Sequence, residues 1–271
     1  MKCFYINLDR ATDRRQSIEA SFQRAARPGW SLERIAAFDA AYVEKAAVPG
    51  RIRPAEKACF LSHKEAVRRS LAHEGPVFIL EDDVIFSDKT FAVLEALLAR
   101  PPTAWDLWFT DISVAHMGSM IELAVLNIQM DATRAVKTLN LRELPFFSSA
   151  AYLVHEGAKT KFLGIMDAVT SFDVAYDSFL NQSVADGKLE AHAIFPFLTT
   201  LSDLAGASDI QSGALRDGNT ILNLFRKLVW IDGSAAQHRE TLAAITQSTS
   251  EEARAFGTLW SAMIDKDFLR H

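Results

Sequence analysis

The chain has 271 residues, of which 49 % are hydrophobic and 23 % charged, with a net charge of −5. That is the composition of a globular protein with one large domain, or one domain plus an appendage. The charge argues against a general nucleic-acid binder, and no run approaches the roughly 18 apolar residues needed to cross a bilayer. Cys3 and Cys59 both sit inside apolar patterns and read as small buried hydrophobes rather than as a disulfide or zinc framework. The charge is uneven: residues 1–30 hold six Lys/Arg against three Asp/Glu, and residues 51–69 hold six against two.

Met1–Ile6 runs straight into a strand pattern over residues 2–8 with no apolar leader. A cytoplasmic location is therefore expected, with peripheral contact at the inner face of a membrane left open. Asn7-Leu8-Asp9-Arg10 breaks the strand, and a helix follows, capped by Asp9 or Thr12, with Ile18, Phe22 and Ala25 on one face. Arg10, Arg14 and Arg15 fall in the turn and the first helical turn. They read either as a solvated face or, together with Asn7 and Asp9, as groups brought to a sheet edge by strand–turn–helix geometry.

Pro28-Gly29 ends that helix, and residues 32–38 read as a second strand ending in Asp39. In βαβ units an acidic residue there often bonds a ribose or base, although neither a P-loop nor a GxGxxG fingerprint accompanies it. Residues 43–53 are loop-like and basic, and Pro54 suits the first turn of a helix running to about His73. Cys59, Phe60, Val67 and Leu71 can face the core from it, while Glu56, Ser62, His63 and Lys64 supply polar groups near its start. A lone histidine in such a helix is more often a satisfied structural residue than a ligand.

The stretch that organises the chain follows. Gly75-Pro76 precedes the apolar run Val77–Leu80, which leads into Glu81-Asp82-Asp83 and then Val84-Ile85-Phe86. An uninterrupted apolar run reads as a buried strand of a mostly parallel sheet. Three adjacent carboxylates at its end repel one another, and desolvating them is costly unless a cation sits there. A divalent-metal site at the carboxyl edge of an α/β sheet accounts for them, with Mg²⁺ or Mn²⁺ suited to the oxygen ligands. The other reading is a solvated acidic turn. The basic segments on either side in sequence suit an anionic substrate lying over such a metal.

Residues 88–100 form an amphipathic helix stopped by Pro101-Pro102, and Trp105–Thr110 reads as a strand ending in Asp111. Residues 112–145 show poor periodicity and read as a mobile insertion with short strands, a lid or acceptor loop. Phe146–Val154 is a strand with small residues in its middle, which either admit a ligand to the backbone or allow tight packing. A helix over 157–166 follows, and Asp177 sits near the opening of another whose apolar face includes Phe179 and Leu180. Residues 189–196 form a last strand carrying His192. Beyond it the pattern is helical over about 217–230, 235–247 and 250–269.

Four ordered blocks resemble glycosyltransferase family 25, which includes bacterial lipooligosaccharide galactosyltransferases and collagen galactosyltransferases. They are Phe4–Arg10 with Arg14, Ala37–Ala40, Pro54–His63 and Leu80–Val84. The similarity is dense over residues 1–90, thinner at 148–152, 177–180 and 208–210, and absent beyond about 215. It implies a GT-A-like nucleotide-binding mixed sheet flanked by helices over residues 1–215, with residues 216–271 a helical extension packed on the core or on a partner. It also implies an inverting transferase that moves a sugar, most often galactose, from a UDP-sugar to a glycan acceptor such as a lipid-linked surface glycan. Glu81 and Asp83 would hold Mn²⁺ or Mg²⁺. Asn7, Arg10, Arg14, Asp39, Ser62, His63, Lys64, Asp82 and Tyr152 would line the donor site. Asp177 is the choice for the base, with Asp173 and Asp111 as rivals.

The family commonly has Gly where this chain has Ser148, which bears on the width of the sugar pocket. Contact with nucleic acid is not expected, and the C-terminal helices allow an oligomer. Two rival functions use the same residues: a metal-dependent phosphohydrolase or nucleotidyl transferase, and a non-catalytic binding protein.

Overall fold

The computed structural model describes residues 1–99, 104–133, 135–204, 216–233, 240, 243, 246, 247 and 251–264. Its elements in chain order are β1 (Lys2–Asn7), α1 (Thr12–Ala25), β2 (Ser31–Ala36), α2 (Ala40–Lys45), α3 (Pro54–Ser70), β3 (Val77–Glu81), β4 (Val84–Phe86), α4 (Thr90–Leu98), β5 (Leu107–Phe109), α5 (Met117–Thr133), β6 (Lys137–Asn140), β7 (Ala151–Val154), α6 (Lys159–Asp167), α7 (Tyr176–Ala185), β8 (Ala191–Phe195), β9 (Thr199–Leu201), α8 (Arg216–Leu228) and α9 (Glu251–Ile264). Seven strands form one sheet in the order β2-β1-β3-β7-β5-β8-β6, and β4 pairs with β9 in a second, small one. The β1 pairings to β2 and β3 and the β5–β8 pairing are parallel, while β7 and β6 run antiparallel to their neighbours. The sheet is mixed and flanked by helices, as expected.

Strand alternation builds a core on each face. Val77 and Ile79 of β3 and Phe4 and Ile6 of β1 join Phe60, Val67, Phe162 and Leu180 from α3, α6 and α7 on one side. Phe78, Leu80, Cys3 and Tyr5 join Ile18, Phe22, Phe91 and Leu94 from α1 and α4 on the other. Val77 to Leu80 are fully buried, the outcome their uninterrupted apolar run dictates.

Several local expectations are corrected. Residues 112–145 are not an irregular insertion: they contain the 17-residue α5, whose Met120, Leu123, Ala124 and Met130 enter the core, followed by β6. Asn127 and Gln129, among the polar residues between them, dilute the i, i+3, i+4 apolar signal. Residues 40–45 form a short helix because the Asp39 carboxylate accepts from the Tyr42 backbone N–H at 2.8 Å. Neither Asp9 nor Thr12 caps α1. Its N-cap is Ala11, which makes no side-chain bond, Thr12 is its first residue, and Asp9 pairs with Arg34 at 2.5 Å.

At the C-terminal end, Leu224, Phe225, Leu228 and Val229 of α8 and its exit, and Ala253 and Phe256 of α9, belong to the same buried cluster as Phe109 and Tyr152. The Phe197 N–H donates to the Val229 carbonyl, and the Ile231 N–H to that of Phe197. The helix expected at 235–247, the block at 208–210 and Pro101-Pro102 lie outside the described residues or nearly so.

Gly50 ties two loops together. The Ile52 N–H donates to the Phe172 carbonyl and the Phe172 N–H to that of Pro49, bringing the α2–α3 loop against the segment that leads to Asp177. Gly50 has φ +119°, and a Cβ there would sit 2.1 Å from the Phe172 carbonyl oxygen. Gly50→Ala should therefore cost about 1–3 kcal/mol or more from backbone strain and clash, read as a lowered Tm. An unchanged Tm would show that the two loops separate freely.

Candidate active site

The β3 strand ends at Glu81, and the chain turns through Asp82 and Asp83 before Val84 begins the small second sheet. This turn leaves both sheets' hydrogen-bond ladders at the carboxyl ends of β1 and β3. Ile6 is in register with Glu81, so Asn7 falls beside Asp82. Asn7, buried, donates through Nδ2 to Asp82 Oδ2 at 2.7 Å and to the Ala11 carbonyl at 3.0 Å, and its Oδ1 accepts from Arg34 Nε at 2.9 Å. Arg14, from the first turn of α1, reaches both aspartates, at 2.6 Å from Asp82 Oδ1 and 2.8 Å from Asp83 Oδ2.

Asp83 Oδ1 is buried with no hydrogen-bond partner among the described residues. Burial, with repulsion from Glu81 and Asp82, pushes the Asp83 carboxyl up to about 7 against the opposing pull of Arg14 and Arg226. Asp82 is raised as well, by burial, with Arg14 and Asn7 limiting the rise. Glu81 goes the other way: burial would raise it, but His63, Ser149 and Arg14 outweigh that and hold it low. Ser149 Oγ donates to Glu81 Oε1 at 2.7 Å, and the same oxygen lies 3.5 Å from His63 Nε2.

Two cavities meet at this turn. The larger, about 710 Å³, is lined by Arg10, Arg14, Phe38, Asp39, Ser62, His63 and Asp82, among others. The other, about 610 Å³, is lined by Glu56, Asp83, Ser148, Asp177, Asn223 and Arg226. Cys59 and Glu81 line both.

Most of the expected donor-site residues line one cleft, but three do not, the first being Asn7, which is buried and holds Asp82. Tyr152 is fully buried. Its hydroxyl lies 3.0 Å from His63 Nδ1 and 2.8 Å from the Tyr176 hydroxyl, so it orients His63 and offers a ligand no surface. Lys64 points to the end of α6, where its ammonium lies 2.8 Å from Asp167. Ser62 lines the cavity, but its hydroxyl is committed to the Ala58 carbonyl and the Phe38 N–H. Of the three carboxylates weighed as base, Asp177 lines the second cavity. Asp173 is tied to Arg51, and Asp111 is fully buried against Arg226.

Arg226 went unread in the sequence. From α8 it grips Asp111 with Nε at 2.6 Å and Nη2 at 2.5 Å, and Nη2 also donates to Ser148 Oγ at 3.1 Å. Ser148 has φ +86°, a conformation that suits glycine. The local sequence signal for Arg226 is a charge on a buried helix face, between Phe225 and Val229.

Carboxylates grouped at the exit of a central strand, facing paired cavities, define an α/β protein with a ligand site at the carboxyl edge of its sheet. Residues 1–180 match the family described as glycosyltransferase family 25 (LPS biosynthesis protein), and the chain belongs to that family. Among curated proteins none matches. Among solved structures, the chain is similar to the apo-form glycosyltransferase GlyE of Streptococcus pneumoniae TIGR4, at 9 % identity and a TM-score of 0.41. That likeness covers 99 % of this chain and 63 % of that one. Among the described residues, no helix is long and apolar enough to cross a membrane.

Two outcomes follow from the electrostatics. Because the folded state raises Asp83, it binds a proton that the unfolded chain gives up near the ordinary carboxylate value. The stability this contributes is present below that value and lost as pH rises towards about 7. Asp83→Asn should then raise the Tm less at pH 5 than at pH 8 in ligand-free protein; equal shifts at both would refute the assignment. Arg226→Met strands the Asp111 charge and should cost about 3–5 kcal/mol in chemical denaturation, with Asp111→Leu added in the same chain recovering much of it.

Proposed function

We propose that the enzyme transfers a sugar, galactose first among the candidates, from UDP to a cell-surface glycan of the lipopolysaccharide or lipooligosaccharide kind, with inversion at the anomeric carbon. The observation that carries this reading is the buried, unsatisfied Asp83 Oδ1 on the wall of the smaller cavity, two residues from Glu81, which lines both. An orphaned carboxylate oxygen next to two further carboxylates suits a hard divalent cation, Mn²⁺ or Mg²⁺, held by Asp83 with help from Glu81. Such an ion, when bound, neutralises charge on a departing diphosphate.

The chain's own residues divide the remaining work. The larger cavity takes the nucleotide: Arg10 and Arg14 supply planar cations for phosphate, while Ala37, Phe38 and Ala40 give it apolar walls beside Asp39. Asn7 and Arg14 fix Asp82 at its rim, where it can meet ribose or sugar. The smaller cavity takes the acceptor. As the acceptor oxygen bonds the anomeric carbon and the bond from that carbon to the UDP oxygen breaks, Asp177 takes the hydroxyl proton from the face opposite the leaving group. A cytoplasmic location with at most peripheral membrane contact accompanies a lipid-linked acceptor of this class.

UDP-galactose, UDP-glucose, UDP-N-acetylglucosamine and UDP-N-acetylgalactosamine, each supplied with Mn²⁺, test the reading through sugar released or transferred. UDP-galactose is expected to turn over fastest. Release of phosphate or pyrophosphate without sugar transfer would instead favour the phosphohydrolase or nucleotidyl-transferase reading, and no turnover at all a binding protein. UDP with Mn²⁺ at about a hundred times Kd should add roughly 2.7 kcal/mol to stability, a gain that Asp83→Asn removes. Asp177→Asn should lower kcat by at least about a hundredfold while UDP affinity stays near that of the unaltered enzyme. Equal loss of both would move the base elsewhere.

A further inference from the structure

On the wall shared by the two cavities lies a second group of donor atoms, chemically unlike the aspartates. Cys59 and His63 stand four residues apart on α3, hence on one helical face, and Glu81 ends the strand that α3 covers. A cysteine sulfur, an imidazole nitrogen and a carboxylate oxygen from the three lie within 4.8 Å of one another. Cys59 lines both cavities, so an ion in the cleft can reach it, whereas Cys3 is fully buried in the core.

Two further observations point to a ligand. His63 is 1 % exposed, yet its Nε2 has no hydrogen-bond partner among the described residues, a costly state for a buried polar atom. It is aimed at Glu81, 3.5 Å away, too far for a good hydrogen bond. The groups behind these donors are also in place. His63 Nδ1 is engaged by the Tyr152 hydroxyl, which is backed by that of Tyr176, and the His63 ring stacks on Tyr176 with centroids 4.3 Å apart. Ser149 fixes the Glu81 carboxylate. Metal-bound histidines and carboxylates are held in this way from behind, which sets the tautomer and the ring direction.

We propose that Cys59, His63 and Glu81 form a site for a thiophilic divalent cation of the Zn²⁺ class, adjoining the aspartate site and sharing Glu81 with it, with an open coordination position towards the cleft. One sulfur, one nitrogen and one oxygen are the donors that zinc accepts and that Mg²⁺ and Mn²⁺ prefer less. Binding displaces the thiol proton to solvent and leaves the thiolate on the metal. The negative potential of the neighbouring carboxylates attracts the cation.

The test uses the full chain, stripped of metal and titrated with Co²⁺ as a visible stand-in for Zn²⁺. The expected result is a near-ultraviolet thiolate-to-cobalt charge-transfer band, displaced by Zn²⁺, retained in Asp83→Asn and lost in Cys59→Ala. Absence of the band in the unaltered protein, or its survival in Cys59→Ala, overturns the proposal. A second readout needs no variant: iodoacetamide labelling of Cys59, followed by mass spectrometry, should fall with Zn²⁺ to the level of the buried Cys3 and stay unchanged with Mg²⁺. Labelling indifferent to Zn²⁺ overturns the proposal equally. Neither readout involves the sugar donor, so the outcome is independent of which nucleotide sugar the enzyme uses.

Discussion

The guanidinium of Arg14, laid across Asp82 and Asp83, is the contact on which the cleft depends. Three carboxylates in succession at the end of a buried strand would repel one another and resist desolvation. Arg14 supplies one positive charge from α1, which packs against the second face of the sheet. Neutralisation is incomplete: Asp83 keeps an unsatisfied oxygen and a raised pKa, and Glu81 relies on His63 and Ser149. A strand end left with uncompensated negative charge and a buried, unsatisfied carboxylate oxygen can still fold, and it gains from any cation that reaches it.

The parts of this arrangement that sequence reveals are those made by neighbours in the chain. Val77–Leu80 read as a buried strand and Pro54 marked the start of α3, whereas the register that sets Asn7 beside Asp82 appears only in the fold. Side-chain direction was harder to read. His63 and Lys64 are adjacent, but one residue of helix turns the side chain by roughly a quarter circle, so Lys64 faces Asp167 while His63 faces the cleft. Tyr152 lies on the buried face of a central strand, where an aromatic hydroxyl in a tyrosine–histidine chain looks in sequence like one that meets a ligand. Cys59 misled in the opposite sense: an apolar flank on both sides suggested a core thiol, and only folding sets it beside Glu81.

Contacts distant in sequence leave no local trace. Asp111 and Arg226 are 115 residues apart, and nothing near either one names the other. The pair has a further consequence, because Arg226 lies beyond the 180 residues that match the family and yet forms part of the second cavity's wall. A segment that shares no recognisable sequence with the family is built into the cleft through a buried, two-pronged ion pair, and it cannot be exchanged without stranding Asp111.

The same guanidinium explains how a serine holds a position that suits glycine. At φ +86° a side chain strains the backbone, and the strain persists only where the surroundings fix it. Ser148 Oγ accepts from Arg226 Nη2 and from the Ala150 N–H, while the flanking Phe147 is pinned to Ser113 by a pair of backbone hydrogen bonds. The turn held in this way delivers Ser149 to Glu81. Strain at residue 148, charge at Arg226 and the orientation of a carboxylate at the strand end are therefore one connected device. In a backbone conformation that suits glycine, this chain sets a hydroxyl on the cavity wall and anchors it from a helix that the family match does not reach.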